Sequence, residues 1–142
     1  MSQVPDSETV FTKKSRTFSL AAKLFAAEDR QAISRLYAFC RATDDFADAT
    51  QLGEGEQLDR VLADLSNPAG CEPHPVAGDF LTLARERDLP IAAARALVLA
   101  LREDCGPRQI ESESELIRFA FGVAGTVGLL ICPVLNVIDR RA

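Results

Sequence analysis

From about position 27 onward, apolar side chains return every three or four residues, the spacing of helices that each bury one stripe. Ile33, Leu36 and Cys40 mark that stripe in a long helix predicted over 27–49, which the Gly53-Glu54-Gly55 punctuation ends. Leu58, Val61, Leu62 and Leu65 mark a short second helix, and Val76, Phe80, Leu83 and Ala84 a third over 76–87. Pro90 suits the first position of a fourth, alanine-rich helix that Gly106-Pro107 stops. Ser112 or Ser114 can cap a fifth, with Glu113 and Glu115 at its positive end. No run alternates as a strand requires, so the fold class is all-α.

Two segments stand apart from this rhythm. Positions 66–75 hold three prolines and a glycine and read as an exposed loop, with Cys71 and His74 as solvent-facing passengers. Phe119 to Ile138 is uncharged throughout and long enough to cross a bilayer. Gly122, Gly125, Thr126, Gly128, Pro133 and Asn136 dilute its hydrophobicity and let neighbouring helices approach, so a buried core helix is the expectation. A membrane span is the rival reading, with Arg140 and Arg141 as its cytoplasmic flank.

Composition narrows the classes. The 142 residues suit one domain, and 47% apolar content argues against intrinsic disorder. Sixteen Lys and Arg against 21 Asp and Glu leave a net charge of -5 and no basic stripe, which argues against nucleic acid as a partner. Cysteines at 40, 71, 105 and 132 are scattered, and the opening Met1-Ser2-Gln3-Val4-Pro5-Asp6 shows no secretory leader, so reduced thiols in a cytoplasmic protein are expected. With one histidine and no cysteine pair, a bound metal would have to be held by oxygen.

The long helix then becomes informative. On a helical wheel with Ile33 at the origin, Asp44 falls at about 20°, Tyr37 at about 40°, Asp48 at about 60° and Arg41 at about 80°, with Asp45 at the edge at about 120°. This arc continues the apolar stripe instead of opposing it. Buried charge needs a partner, a water-filled cavity or a bound ion. Asp44 and Asp48, one turn apart, can converge on a hard cation such as Mg²⁺. The plainer alternative also stands at this point: an acidic solvated helix face, with Arg41 and Asp45 as an ordinary surface ion pair.

Three stretches carry a resemblance. They are Lys14-Ser15-Arg16-Thr17-Phe18-Ser19-Leu20-Ala21-Ala22-Lys23-Leu24, then Leu36-Tyr37-Ala38-Phe39-Cys40-Arg41-Ala42-Thr43-Asp44-Asp45, then Val123-Ala124-Gly125-Thr126-Val127-Gly128-Leu129-Leu130. In order and spacing they resemble the squalene and phytoene synthase family, with wording most similar to its bacterial phytoene synthases. The resemblance implies an all-α isoprenoid-synthase bundle that joins two isoprenoid diphosphates head to head through a cyclopropyl intermediate, most simply geranylgeranyl diphosphate to phytoene. It implies Mg²⁺, with Mn²⁺ as an alternative, on Asp44, Asp45 and Asp48, and catalytic roles for Asp44, Asp48 and Tyr37. It also implies substrate contacts from Ser15, Thr17, Tyr37, Arg41, Val123 and Gly128. Capping near a helix start is the structural alternative for Ser15 and Thr17, as core packing is for Tyr37.

The sequence departs from the family pattern in two ways. Phe119 and Phe121, expected to line the apolar tunnel or the core, stand where the family often has tyrosines, and Asp104 matches a frequent family aspartate without a derivable role. Family members also carry a second aspartate-rich motif in a later helical region, whereas Asp139 is the one carboxylate near the end here. The resemblance thus implies that 1–142 are the N-terminal part of such a domain, with little or no turnover alone. Expected partners are isoprenoid diphosphates, and a complementing C-terminal fragment or a second copy. A cytoplasmic location with peripheral membrane contact suits so lipophilic a substrate.

Overall fold

The computed structural model describes residues 20, 23–48, 54–105 and 109–136. Five helices lie wholly within them: α1 (Ala27–Asp48), α2 (Glu54–Ser66), α3 (Pro75–Arg87), α4 (Ile91–Glu103) and α5 (Glu113–Val134). No strand occurs among the described residues.

Local chemistry sets the ends. Glu28 and Asp29 stand in the first turn of α1, where the helix dipole favours acids. Helix α3 opens on Pro75 and closes at Asp88, which adopts a left-handed conformation (φ 54°, ψ 47°) and returns its N–H to the Ala84 carbonyl. Pro90 sits just before α4 instead of inside it. Ser112 caps α5, its Oγ accepting from the Glu115 N–H at 3.2 Å. Gly55, read as punctuation, lies inside the first turn of α2, where its missing side chain leaves room for the Arg102 guanidinium.

Helix α4 occupies the centre, packed against α2 and α5, while α1 bridges α3, α2 and the end of α5. Leu58, Val61 and Leu65 of α2, Phe80 and Leu83 of α3 and Val98 of α4 are essentially fully buried. Phe39 and Phe80 stack with ring centroids 4.3 Å apart, which fastens α1 to α3. Ion pairs rim the same seams. Arg35 of α1 reaches Asp79 at 3.0 Å and Glu86 at 2.7 Å on α3, and Arg102 of α4 reaches Asp59 of α2 at 2.8 Å. At such exposed positions each pair contributes about 0–1 kcal/mol, so they fix alignment more than stability.

The loop reading of 66–75 holds for Cys71, which is exposed, but not for His74. His74 is buried because it is the N-cap of α3: its Nδ1 accepts from the Val76 N–H at 3.2 Å, Nε2 meets Gln57 Oε1 at 2.9 Å, and its ring stands edge-on to Phe46. Its own N–H donates to Asp64 Oδ2 at 2.7 Å. This cap works only with a neutral imidazole, since Nδ1 must keep its lone pair. Burial, then repulsion from Arg60, lower the His74 pKa against the pull of Asp64. A lowered folded pKa gives stability that is complete above about pH 6.5 and is lost as pH falls through the folded value. The melting temperature is therefore expected to drop between pH 7 and pH 5, and His74→Asn, which keeps a capping acceptor, should flatten that part of the profile. An equal acid loss in both proteins would place the effect elsewhere.

Helix α5 corrects a second expectation. It is packed on one side only: Thr126, Leu130 and Val134 are buried, while Leu116, Ile117, Phe121 and Leu129 are not. Its apolar composition fits a core helix, but no other described helix lies over its far side. Midway, Phe121–Gly125 widens into a π-helical segment, with the Thr126 N–H reaching the Phe121 carbonyl and Thr126 Oγ1 donating to the Gly122 carbonyl at 2.6 Å. Gly122 lets α5 approach α4 closely, since a Cβ there would stand 2.7 Å from that of Ala100.

Candidate functional site

Tyr37, Cys40, Arg41 and Asp44 recur every three or four residues on α1, so they share one face. That face meets Leu97 and Leu101 of α4 and Val123 and Val127 of α5 around a cavity of about 230 Å³. Phenol, guanidinium and carboxylate thus stand opposite four aliphatic side chains. The π segment belongs to this wall, since it carries Val123 and lies directly before Val127.

The polar side is electrostatically strained. Arg41 is forked between Asp44 Oδ2 at 3.2 Å and Asp45 Oδ1 at 2.8 Å, with its side chain 37% exposed. Its Nε is buried and finds no acceptor among the described residues. Burial and then the neighbouring Asp48 carboxylate hold Asp44 above the usual carboxylate range, with Arg41 opposing and Asp45 adding to the rise. Negative charge is therefore under-compensated at this end, which is the environment a cation relieves. Burial pushes the Cys40 thiol up to about 12, with Asp44 adding to it, so Cys40 stays protonated and behaves as a small apolar wall residue.

The structure brings Tyr37, Arg41, Asp44 and Val123 together at one cavity. Asp45 lies beside it through Arg41, and Asp48 is exposed at the end of α1, outside the lining. Gly128 is also outside it, and a Cβ there would meet nothing within 4 Å. Among the described residues no group of three or more Asp, Glu, His or Cys side chains converges as a metal cage. Ser15 and Thr17 lie outside the described residues. Phe121 folds its ring against Gly125 on the outer side of α5, and neither it nor Phe119 lines the cavity. Asp104 caps α4 at its C-terminal end, exposed. The residues that sequence reasoning passed over are Leu97 and Leu101. Their four-residue spacing was readable, but not which face of a helix so rich in alanine and leucine would meet α1.

An all-helical protein with a cavity that is charged on one helix and aliphatic on two others is a recognisable class. The squalene/phytoene synthase family model matches residues 11–142, and the chain belongs to that family. It is 33% identical over 129 residues to a phytoene synthase of Thermus thermophilus, covering 88% of this chain and 43% of that protein. It is 29% identical over 137 residues to a 15-cis-phytoene synthase of Enterobacter agglomerans, covering 89% and 46%. The crystal structure of a dehydrosqualene synthase in complex with ligand superposes with a TM-score of 0.77 at 28% identity, over 90% of this chain and 45% of that one. The chain thus spans under half the length of these relatives.

Proposed function

We propose that the cavity binds the diphosphate end of an isoprenoid diphosphate, as one part of a head-to-head prenyltransferase site of the kind that makes phytoene from two geranylgeranyl diphosphates. The observation that carries this reading is the meeting of Tyr37, Arg41 and Asp44 with Leu97, Leu101, Val123 and Val127 around one hollow. Such a ligand is an anion on a hydrocarbon, and the hollow is divided in the same way. The curated relatives are phytoene synthases, which favours the C20 substrate over the C15 one.

The chain's own residues do three things. The buried, unpartnered Nε of Arg41 offers a charge-assisted donor to a phosphate oxygen. The Tyr37 phenol adds a second donor group on the same face, one turn away. The aliphatic wall and the protonated Cys40 thiol keep water from the carbon beside the diphosphate. The strained Asp44 carboxylate, with Asp48 and Asp45 beside it, fits a hard divalent ion that takes one or two carboxylates. These residues would hold Mg²⁺, or Mn²⁺ in its place, whose chemistry is Lewis-acid neutralisation of the leaving diphosphate.

Binding, not turnover, is the suitable readout for a chain of this span. Mg²⁺ with geranylgeranyl thiodiphosphate at a hundredfold excess over its Kd should stabilise the fold by about 2.7 kcal/mol, a rise of roughly 10 °C in melting temperature. Asp44→Asn with Asp48→Asn should abolish that rise while leaving the unliganded protein as stable or slightly more so. The farnesyl analogue, run alongside, tests the choice of chain length. A melting curve that Mg²⁺ and both analogues leave in place would overturn the reading.

A further inference from the structure

Helix α5 is both apolar and poorly covered: only 17% of its most apolar stretch is buried. Its exposed residues are ordered, not scattered. Ile117, Phe121 and Leu129 are 62%, 60% and 51% exposed. The π segment adds about one residue to the turn it occupies, and with that allowance the three lie within about 40° of one another on the helix wheel. The exposed Cys132 falls on the same line. A straight α-helix would have turned Leu129 about 100° away, so the widened segment builds a continuous outer ridge as well as the cavity wall.

Two observations indicate what the ridge meets. The relatives devote more than an equal further length of polypeptide to the same fold, since the match covers 43% to 46% of each. The cavity, about 230 Å³ between three helices, is also smaller than the roughly 300–1,000 Å³ that encloses a drug-sized ligand. We propose that the outer ridge of α5, formed by Ile117, Phe121, Leu129 and Cys132, docks the polypeptide that corresponds to the remaining half of the family's longer members. An apolar ridge of this length is the kind of anchor that a helix offers to a partner's groove. The proposal rests on family membership and not on the chemistry assigned to the cavity.

The probe is the portion of the Thermus thermophilus phytoene synthase outside the matched 43%, produced separately and mixed with the full chain in the absence of Mg²⁺ and diphosphate. Light scattering should show a one-to-one complex. Maleimide labelling of Cys132 should slow on the order of tenfold, while Cys71, exposed on the α2–α3 loop, reacts as before. Ile117→Glu with Phe121→Glu should prevent both effects, as should the milder Leu129→Gln if the double variant fails to fold. Asp44→Asn should dock normally, which separates this test from that of the cavity. The absence of a complex overturns the proposal. So does Cys132 protection that rises with the concentration of this chain alone, because a second copy then holds the ridge, and so does protection by phosphatidylcholine vesicles without the probe.

Discussion

Gly122→Val is expected to lower the unfolding midpoint in urea and to erase any stabilisation by a prenyl diphosphate analogue. A Cβ at position 122 would lie 2.7 Å from the Ala100 Cβ, and that atom is fixed to the α4 backbone and cannot rotate aside. The helices must separate, at a cost of about 1–3 kcal/mol for overpacking. The separation carries Val123, the next residue, away from Leu97 and Leu101, so the aliphatic side of the cavity gapes. Gly128 provides the control within the same sequence motif. Nothing stands within 4 Å of its missing side chain, and Gly128→Ala should raise stability by about 0.5–1 kcal/mol, as alanine does for glycine in a helix. A Gly122→Val protein that unfolds at the wild-type urea concentration would show that α4 and α5 do not touch there.

Phe80→Ala should cost more still, about 3–5 kcal/mol of a total that for a domain is typically about 5–15 kcal/mol. Phe80 is 1% exposed, and its stack on Phe39 joins α3 to the helix that carries Tyr37, Arg41 and Asp44. The variant leaves a cavity that surrounding leucines only partly fill, and α1 loses the support that sets its rotation. Urea denaturation followed by circular dichroism measures the first effect. A loss below about 1 kcal/mol would contradict the close packing at this seam.

The helices were legible because their apolar period was, and the rotation of α1 was legible for the same reason. A wheel built on Ile33 turned Tyr37, Arg41 and Asp44 toward the interior, and they stand at the cavity. The wheel placed Asp48 in the same arc, but it lies at the end of α1 beyond the last packed turn and is exposed. Leu97 and Leu101 were hidden for a different reason: a helix apolar on several faces does not say which neighbour each face meets. His74 was misread because flanking prolines suggest solvent, and histidine is not among the residues that composition marks as caps. Its burial depends on Gln57, Asp64 and Phe46, three contacts distant in sequence. The covering of α5 could not be read from α5 at all, since burial belongs to a pair of surfaces and one helix supplies only one of them.

The widened turn at Phe121–Gly125 also fixes how the gene can change length. Deleting one residue there would restore a regular α-helix, yet it would swing everything downstream through about 100°. Leu130 and Val134 would leave the core and polar backbone would face it in their place. Substitutions can therefore accumulate across this segment, whereas single-codon insertions or deletions are barred by geometry even though each would leave the composition almost untouched.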